Sequence, residues 1–145
     1  MKKFLAATFV IVISCGCTPS QIAWFQNADT RDRNAVVKHI IVEAAHEFGV
    51  DPVLLLRIAE CESGFDPAVK NKKSSARGLF QFLDTTWESN RGRLETEYAP
   101  EEVINPIAAS RVASDMIAQG SRAWAESGNC WKNWTRLTLE DYSEN

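Results

Sequence analysis

Three short stretches hold the residues best suited to chemistry: Cys61-Glu62-Ser63-Gly64, Gly78-Leu79-Phe80-Gln81 and Thr86-Trp87. The first closes an apolar helical pattern. At about 100° per residue, Glu62 falls on the stripe made by Leu54, Leu55, Ile58 and Ala59. Ionised carboxylates are costly to bury, so a Glu that ends an apolar stripe is either paired or suited to donating a proton. Glu60 points about 160° away, three residues from Arg57, where an exposed ion pair is the expected fate. Position alone leaves Glu62 two readings, a general acid or a Glu that merely ends a helix. The second is electrostatically poor, because the negative end of the helix dipole lies there.

Other reactive types have weaker settings. His39 and His46 are seven apart on one helical face, opposite the apolar stripe, and are expected to be solvated. No HExxH or Cys-x-x-Cys spacing occurs, so a zinc hydrolase has little support. Cys61 with a histidine is the pattern of a cysteine peptidase, but the C-terminal end of a helix disfavours the thiolate a nucleophile needs. Asp66, Asp84 and Glu97 are the candidate second carboxylates for a hydrolase, and none sits in a defined motif. Trp87, Trp124, Trp131 and Trp134 serve either as sugar-stacking platforms or as core, with core the default for large aromatics.

An ordered set of motifs spans residues 36–131: Gly49-Val50-Asp51-Pro52, Glu62-Ser63-Gly64-Phe65, Gly78-Leu79-Phe80-Gln81, Thr86-Trp87 and a closing Trp124-Ala125-Glu126-Ser127-Gly128-Asn129-Cys130-Trp131. In these the chain resembles the lysozyme-like domain of the soluble-lytic-transglycosylase family. A Cys directly before the Glu and a second near the end are also similar to the resuscitation-promoting-factor branch. The resemblance implies an α+β, mainly α fold in which a central buried helix ends in the catalytic Glu and a small hairpin or loop region covers the cleft. It makes Glu62 the general acid, has Ser63 orient it, and places Gln81, Phe80 and Asn105 against the glycan.

The implied reaction cleaves the β-1,4 bond between N-acetylmuramic acid and N-acetylglucosamine in peptidoglycan. Glu62 protonates the leaving oxygen, the substrate's N-acetyl group stabilises the sugar cation, and Glu62 then acts as base on the C6 hydroxyl. A 1,6-anhydro end results, with no metal or organic cofactor required. A water-using muramidase and a catalytically silent wall-binding lipoprotein are the alternatives. The chain departs from the family pattern in two places. Ala108, Ala109 and Ser110 follow Asn105-Pro106 where a second Asn is common, and residues 111–117 lack the usual aromatic.

Positioning such a site requires helices. The apolar spacing of Val36, Val37, Ile40, Ile41, Ala44, Ala45 and Phe48 predicts a first helix over 35–48, stopped by Gly49. Asp51 as N-cap and Pro52 in the first turn predict the central helix over 53–62. Residues 64–77 are turn-rich and read as a loop or short hairpin. Gly78 is read as a place where substrate approaches the backbone. Thr85 or Thr86 is expected to cap a short helix carrying Trp87, residues 90–100 read as a second loop, and a last helix runs over 105–119 to Gly120.

Ahead of the domain, Met1-Lys2-Lys3 and the apolar run 4–14 read as a bacterial secretion signal, too short to span a bilayer comfortably. Val12-Ile13-Ser14-Cys15 looks like the lipobox before a lipid-modified cysteine, with Cys17 the rival site and ordinary cleavage to a soluble product the alternative. The expected organisation is a signal and lipidation region over 1–17, a tether over 18–34, the lysozyme-like domain over 35–134 and a tail over 135–145. Such a chain sits on the periplasmic side of a membrane through its lipid anchor, where an envelope-spanning assembly is an allowed partner. In that compartment Cys61 and Cys130 suggest a disulfide, a pairing that the resemblance also implies. The net charge is −3, and loss of Lys2 and Lys3 makes it more negative by two. A nucleic-acid partner is therefore unexpected, and contact with a wall polymer has to be local rather than steered by a global field.

Overall fold

Asp29 starts the first helix by accepting a hydrogen bond from the Asp32 backbone N–H at 2.9 Å. The computed structural model describes residues 29–94, 97–125, 138, 139 and 142. Cys15, Cys17 and Cys130, with the segment read as signal and lipidation region, lie outside them. Helix α1, Thr30–Glu47, thus begins inside the segment read as tether, because a cap upstream of the apolar stripe adds a polar first turn. Val37, Ile41, Ala44 and Ala45 are buried, whereas His39 and His46 are exposed as expected. A paired C-terminal motif stops the helix. Gly49, at φ +66°, donates to His46 at 3.3 Å, and Val50 donates to Ala45 at 2.9 Å.

Helix α2, Pro52–Ser63, matches its expected start. Asp51 accepts from the Val53 N–H at 2.9 Å and Pro52 occupies the first turn. Its buried face is Leu55, Leu56, Ile58 and Ala59. Helix α3, Asp84–Asn90, is capped by neither threonine. Leu83 takes the cap position without a side-chain bond, and Asp84 is instead tied to Arg77 at 3.0 Å. A 3-10 helix, Pro100–Ile104, follows the second loop, its start held by the Ala99 N–H donating to Glu102 at 2.7 Å. Periodicity could not foretell so short an element.

Helix α4, Pro106–Ala118, is capped by Asn105, which accepts from the Ile107 N–H at 3.0 Å. It packs against α1 and α2 brings a further helix to α1. Ala108, Ala109, Ser110 and Ala113 are fully buried, and their small side chains permit a close helix approach. The family departures at 108–110 therefore lie inside the bundle. Arg111 clasps Glu47 at 2.6 Å and donates to the Tyr98 hydroxyl at 2.8 Å across the same seam.

No sheet occurs among the described residues, which narrows the α+β expectation to a mainly α fold. The 64–82 region carries only the isolated antiparallel bridges of Lys70 with Arg77 and Arg77 with Phe82. Turn residues interrupt it too often for a ladder to extend. Likewise, no helix among the described residues is long and apolar enough to cross a membrane.

Glu60 differs from its expected fate as a solvated acid. It is half-buried and accepts a hydrogen bond from the Tyr142 hydroxyl at 3.1 Å. Tyr142, in the segment 135–145, is buried and meets Phe65 edge-on at 6.3 Å, with the Lys38 ammonium 5.9 Å from its ring. Burial first, and the Glu60 charge second, push the Tyr142 phenol upward from its ordinary range, while Arg57 opposes them. Sequence spacing along one helix is blind to such a distant partner.

Candidate active site

Besides Gly78, three left-handed residues shape the ground around Glu62. Gly64, at φ +62°, ends α2 with its N–H donating to Glu60 at 2.9 Å, and Phe65 follows at φ +67°. This conformation is cheap for glycine but costs about 1–2 kcal/mol for a side chain such as Phe, here offset by burial of the ring. Gln81 is the third, at φ +49°. Strained residues of this kind gather at functional sites when surrounding contacts over-determine them.

The Gly78–Gln81 turn is closed by the Gln81 N–H donating to Gly78 at 3.1 Å. Its link to α2 is Ser63. That hydroxyl points at the Leu79 carbonyl at 2.8 Å and the Ala59 carbonyl at 3.0 Å, sharing one hydrogen between them. Ser63 therefore acts on the backbone, locking the end of α2 against the turn, and any influence on Glu62 passes through that lock. The Gln81 amide nitrogen donates to Val69 at 3.2 Å and Gly78 at 3.0 Å. With both amide hydrogens engaged, its carbonyl oxygen is the atom left to accept from a ligand N–H or O–H.

Glu62 and Gln81 face one cleft of about 220 Å³, lined also by Phe82, Leu83, Thr86, Ala123 and Trp124. The Glu62 carboxylate is half-buried and makes no hydrogen bond or ion pair among the described residues. Leu83, 46% exposed, offers an apolar surface beside it. Behind the wall stands an aromatic cluster. Phe82 lies 5.6 Å from Trp124 and 5.4 Å from Trp87, and the Trp124 indole N–H donates to the Phe80 carbonyl at 2.9 Å.

Two residues expected at the glycan, Phe80 and Asn105, hold structural places in this arrangement. Phe80 is fully buried, so its ring packs in the core and its carbonyl holds Trp124. The Asn105 side-chain oxygen is taken up in capping α4, and Asn105 does not line the Glu62 cleft. Gly78 holds a structural place too. A side chain there would meet the Val103 carbonyl and not a ligand. Phe82, Leu83, Thr86 and Ala123 line the cleft without a role read from sequence, and Trp124, read there as platform or core, lines it too. Thr86 and Trp124 stood within the quoted motifs, but only the fold shows that Trp87 turns inward beside a cleft-facing Thr86.

None of the candidate second carboxylates enters the cleft. Asp66 accepts from the Ala68 N–H at 2.9 Å, Asp84 pairs with Arg77 at 3.0 Å, and Glu97, 76% exposed, faces Arg91 at 3.4 Å. Cys61 is disulfide-bonded and so is not a nucleophile. Its implied partner, Cys130, lies outside the described residues. Among the described residues no group of His, Cys, Asp and Glu is arranged to hold a metal ion. A larger groove of about 660 Å³ between α1 and α4 holds His39, Glu43, His46 and Arg111 but no residue of the Glu62 cleft. Its size does not outweigh the chemistry at Glu62.

A mainly helical bundle with this central helix is consistent with a lysozyme-like domain. The family model described as transglycosylase SLT domain matches residues 39–135, and the chain belongs to that family. No solved structure matches it. Membership points to a lytic transglycosylase acting on peptidoglycan, in the periplasm or cell wall.

Proposed function

We propose that this protein cleaves the β-1,4 bond between N-acetylmuramic acid and N-acetylglucosamine without water, leaving a 1,6-anhydro end. One observation carries the reading. Among the described residues Glu62 is the single carboxylate lining the cleft and has no partner, and Asp66, Asp84 and Glu97 are each engaged elsewhere. Inverting hydrolysis needs a second carboxylate to activate water, and retaining hydrolysis without help from the substrate's N-acetyl group needs one to attack the anomeric carbon. An intramolecular route needs neither. Glu62 protonates the glycosidic oxygen, the neighbouring N-acetyl group stabilises the positive charge, and the resulting carboxylate takes the proton of the C6 hydroxyl as it closes on C1. The Gln81 carbonyl oxygen is suited to an N-acetyl N–H, and Leu83 to its methyl. Purified protein is expected to release soluble fragments from peptidoglycan. A protein that binds the wall but releases none would favour the silent wall-binding reading.

Two finer points belong to the same proposal. Cys61 pairs with Cys130, as in the resuscitation-promoting-factor branch, fastening the segment after α4 to the helix that bears Glu62. Removing such a bridge typically costs about 2–5 kcal/mol. With Cys15 and Cys17 replaced by Ser, the denatured and unreduced protein should show no titratable thiol, and two thiols would contradict the pairing. Cys15 carries lipid and holds the domain on the periplasmic side of a membrane. A fatty-acid label should be lost in Cys15→Ala, whereas label kept there and lost in Cys17→Ala would move the anchor.

A further inference from the structure

Residues 67–83 contain four cations and no acid, in a chain whose net charge is −3. Lys70, Lys72 and Lys73 are exposed, and none makes an ion pair among the described residues. Arg77 differs, being paired with Asp84. Solvated loops usually intersperse both signs, and like charges this close repel one another. Nothing in the packing of the domain calls for three adjacent ammonium groups.

The loop that holds them is ordered by its own hydrogen bonds. The Asn71 N–H donates to Ala76 at 2.8 Å, the Lys73 N–H to the Asn71 side chain at 2.8 Å, and the Ala76 N–H to Ser74 at 3.3 Å. Its base is built into the cleft wall. Val69 accepts from the Gly78 N–H at 2.8 Å and from the Gln81 amide at 3.2 Å, while Ser75 accepts from the Asp84 N–H at 3.2 Å. Gln81 and Leu83, the neighbour of Asp84, both line the Glu62 cleft. The acids nearest in sequence are Asp66, exposed and engaged in a local turn, and Asp84, neutralised by Arg77. A net positive arm therefore adjoins the place where a glycan would lie.

From this placement we propose that Lys70, Lys72 and Lys73 form a carboxylate-binding arm that recognises the acidic peptide stems of the glycan held in the Glu62 cleft. The proposal rests on the glycan-cleaving reading of that cleft. The backbone sugars of the polymer offer the cleft hydroxyl and amide groups, whereas its negative charges are the carboxylates of the peptides hanging from the muramic acid units. Ammonium groups beside the cleft meet the second set while Glu62 and Gln81 meet the first. Each exposed pair contributes little, so three together set a preference and not an absolute requirement. The preference weakens with salt.

The test compares soluble glycan strands with their peptide stems intact and the same strands stripped of stems by an amidase. For the full chain, the ratio of kcat/KM on the two substrates should favour stem-bearing strands and shrink as salt is raised. Replacing all three lysines by Gln should lower that ratio about fivefold, mainly through KM, and replacing them by Arg should restore it. A ratio unchanged in the Gln variant, with both strands still cleaved by the wild type, would overturn the arm alone. Wild-type protein that cleaves neither strand would overturn the proposed function and the arm with it. Lysine-dependent binding to phosphatidylglycerol vesicles together with an unchanged ratio would assign the lysines to a membrane surface and overturn the proposal as well.

Discussion

Replacing Glu62 by Gln should reduce glycan cleavage by about a thousandfold or more while leaving the fold intact. General acid–base catalysis is typically worth about 10²–10⁴ in rate, and in the proposed reaction one group serves as both acid and base, so the loss belongs toward the upper end. Stability should not fall. The Glu62 carboxylate makes no hydrogen bond or ion pair among the described residues, and it sits at the negative end of α2, two residues before the Gly64 cap. A neutral amide there relieves an unfavourable dipole interaction of about 0.3–1 kcal/mol, so the melting temperature should hold or rise slightly. An acid kept where stability disfavours it is what a function–stability trade-off looks like. Glu60→Gln is the matched control, since its amide oxygen can still accept from Tyr142. It should keep most of its activity. Loss of activity in Glu60→Gln with retention in Glu62→Gln would reverse the assignment.

Replacing Gly78 by Ala should destabilise the domain by roughly 2–4 kcal/mol, from overpacking and an unfavourable backbone conformation together. Gly78 has φ +78°, and a Cβ there would press into the carbonyl oxygen of Val103 in the 3-10 helix. Both partners are backbone, so no side-chain rotation relieves the clash. Movement of Gly78 would also disturb its bond to Val69 and the turn that presents Gln81. Thermal melting should therefore drop by on the order of 10 °C, with activity falling further than the melting shift alone explains. A melting temperature within a degree or two of the wild type would show that the turn is not held against Val103.

Local chemistry carried much of the fold into the sequence. Asp51-Pro52 marks the start of α2 within a residue, Gly49 and Gly120 mark helix ends, and the spacing of Leu55, Ile58 and Ala59 marks a buried face. Glu62 was legible because it continues that face and also fills a motif. What sequence could not supply was contact between distant segments. The Tyr142 hydroxyl on Glu60, 82 residues away, and the Trp124 indole on the Phe80 carbonyl, 44 residues away, have no local signature. Phe80 and Asn105 were assigned to the glycan by motif membership. A motif also contains the residues that hold a site in shape, here a buried ring and a helix cap. Trp124, at 8% exposed, belongs to the core and also lines the Glu62 cleft, which spacing along the chain does not reveal.

Whether one carboxylate suffices is decided by the origin of the oxygen at the new sugar end. Peptidoglycan digested by the purified protein in heavy-oxygen water, followed by mass spectrometry of the soluble fragments, reads this directly. The account predicts fragments ending in 1,6-anhydro-N-acetylmuramic acid with no isotope gained, because the C6 oxygen of the same sugar closes on C1. Reducing ends carrying heavy oxygen as the main product would contradict it and show that water, rather than the C6 hydroxyl, attacks C1 in the Glu62 cleft.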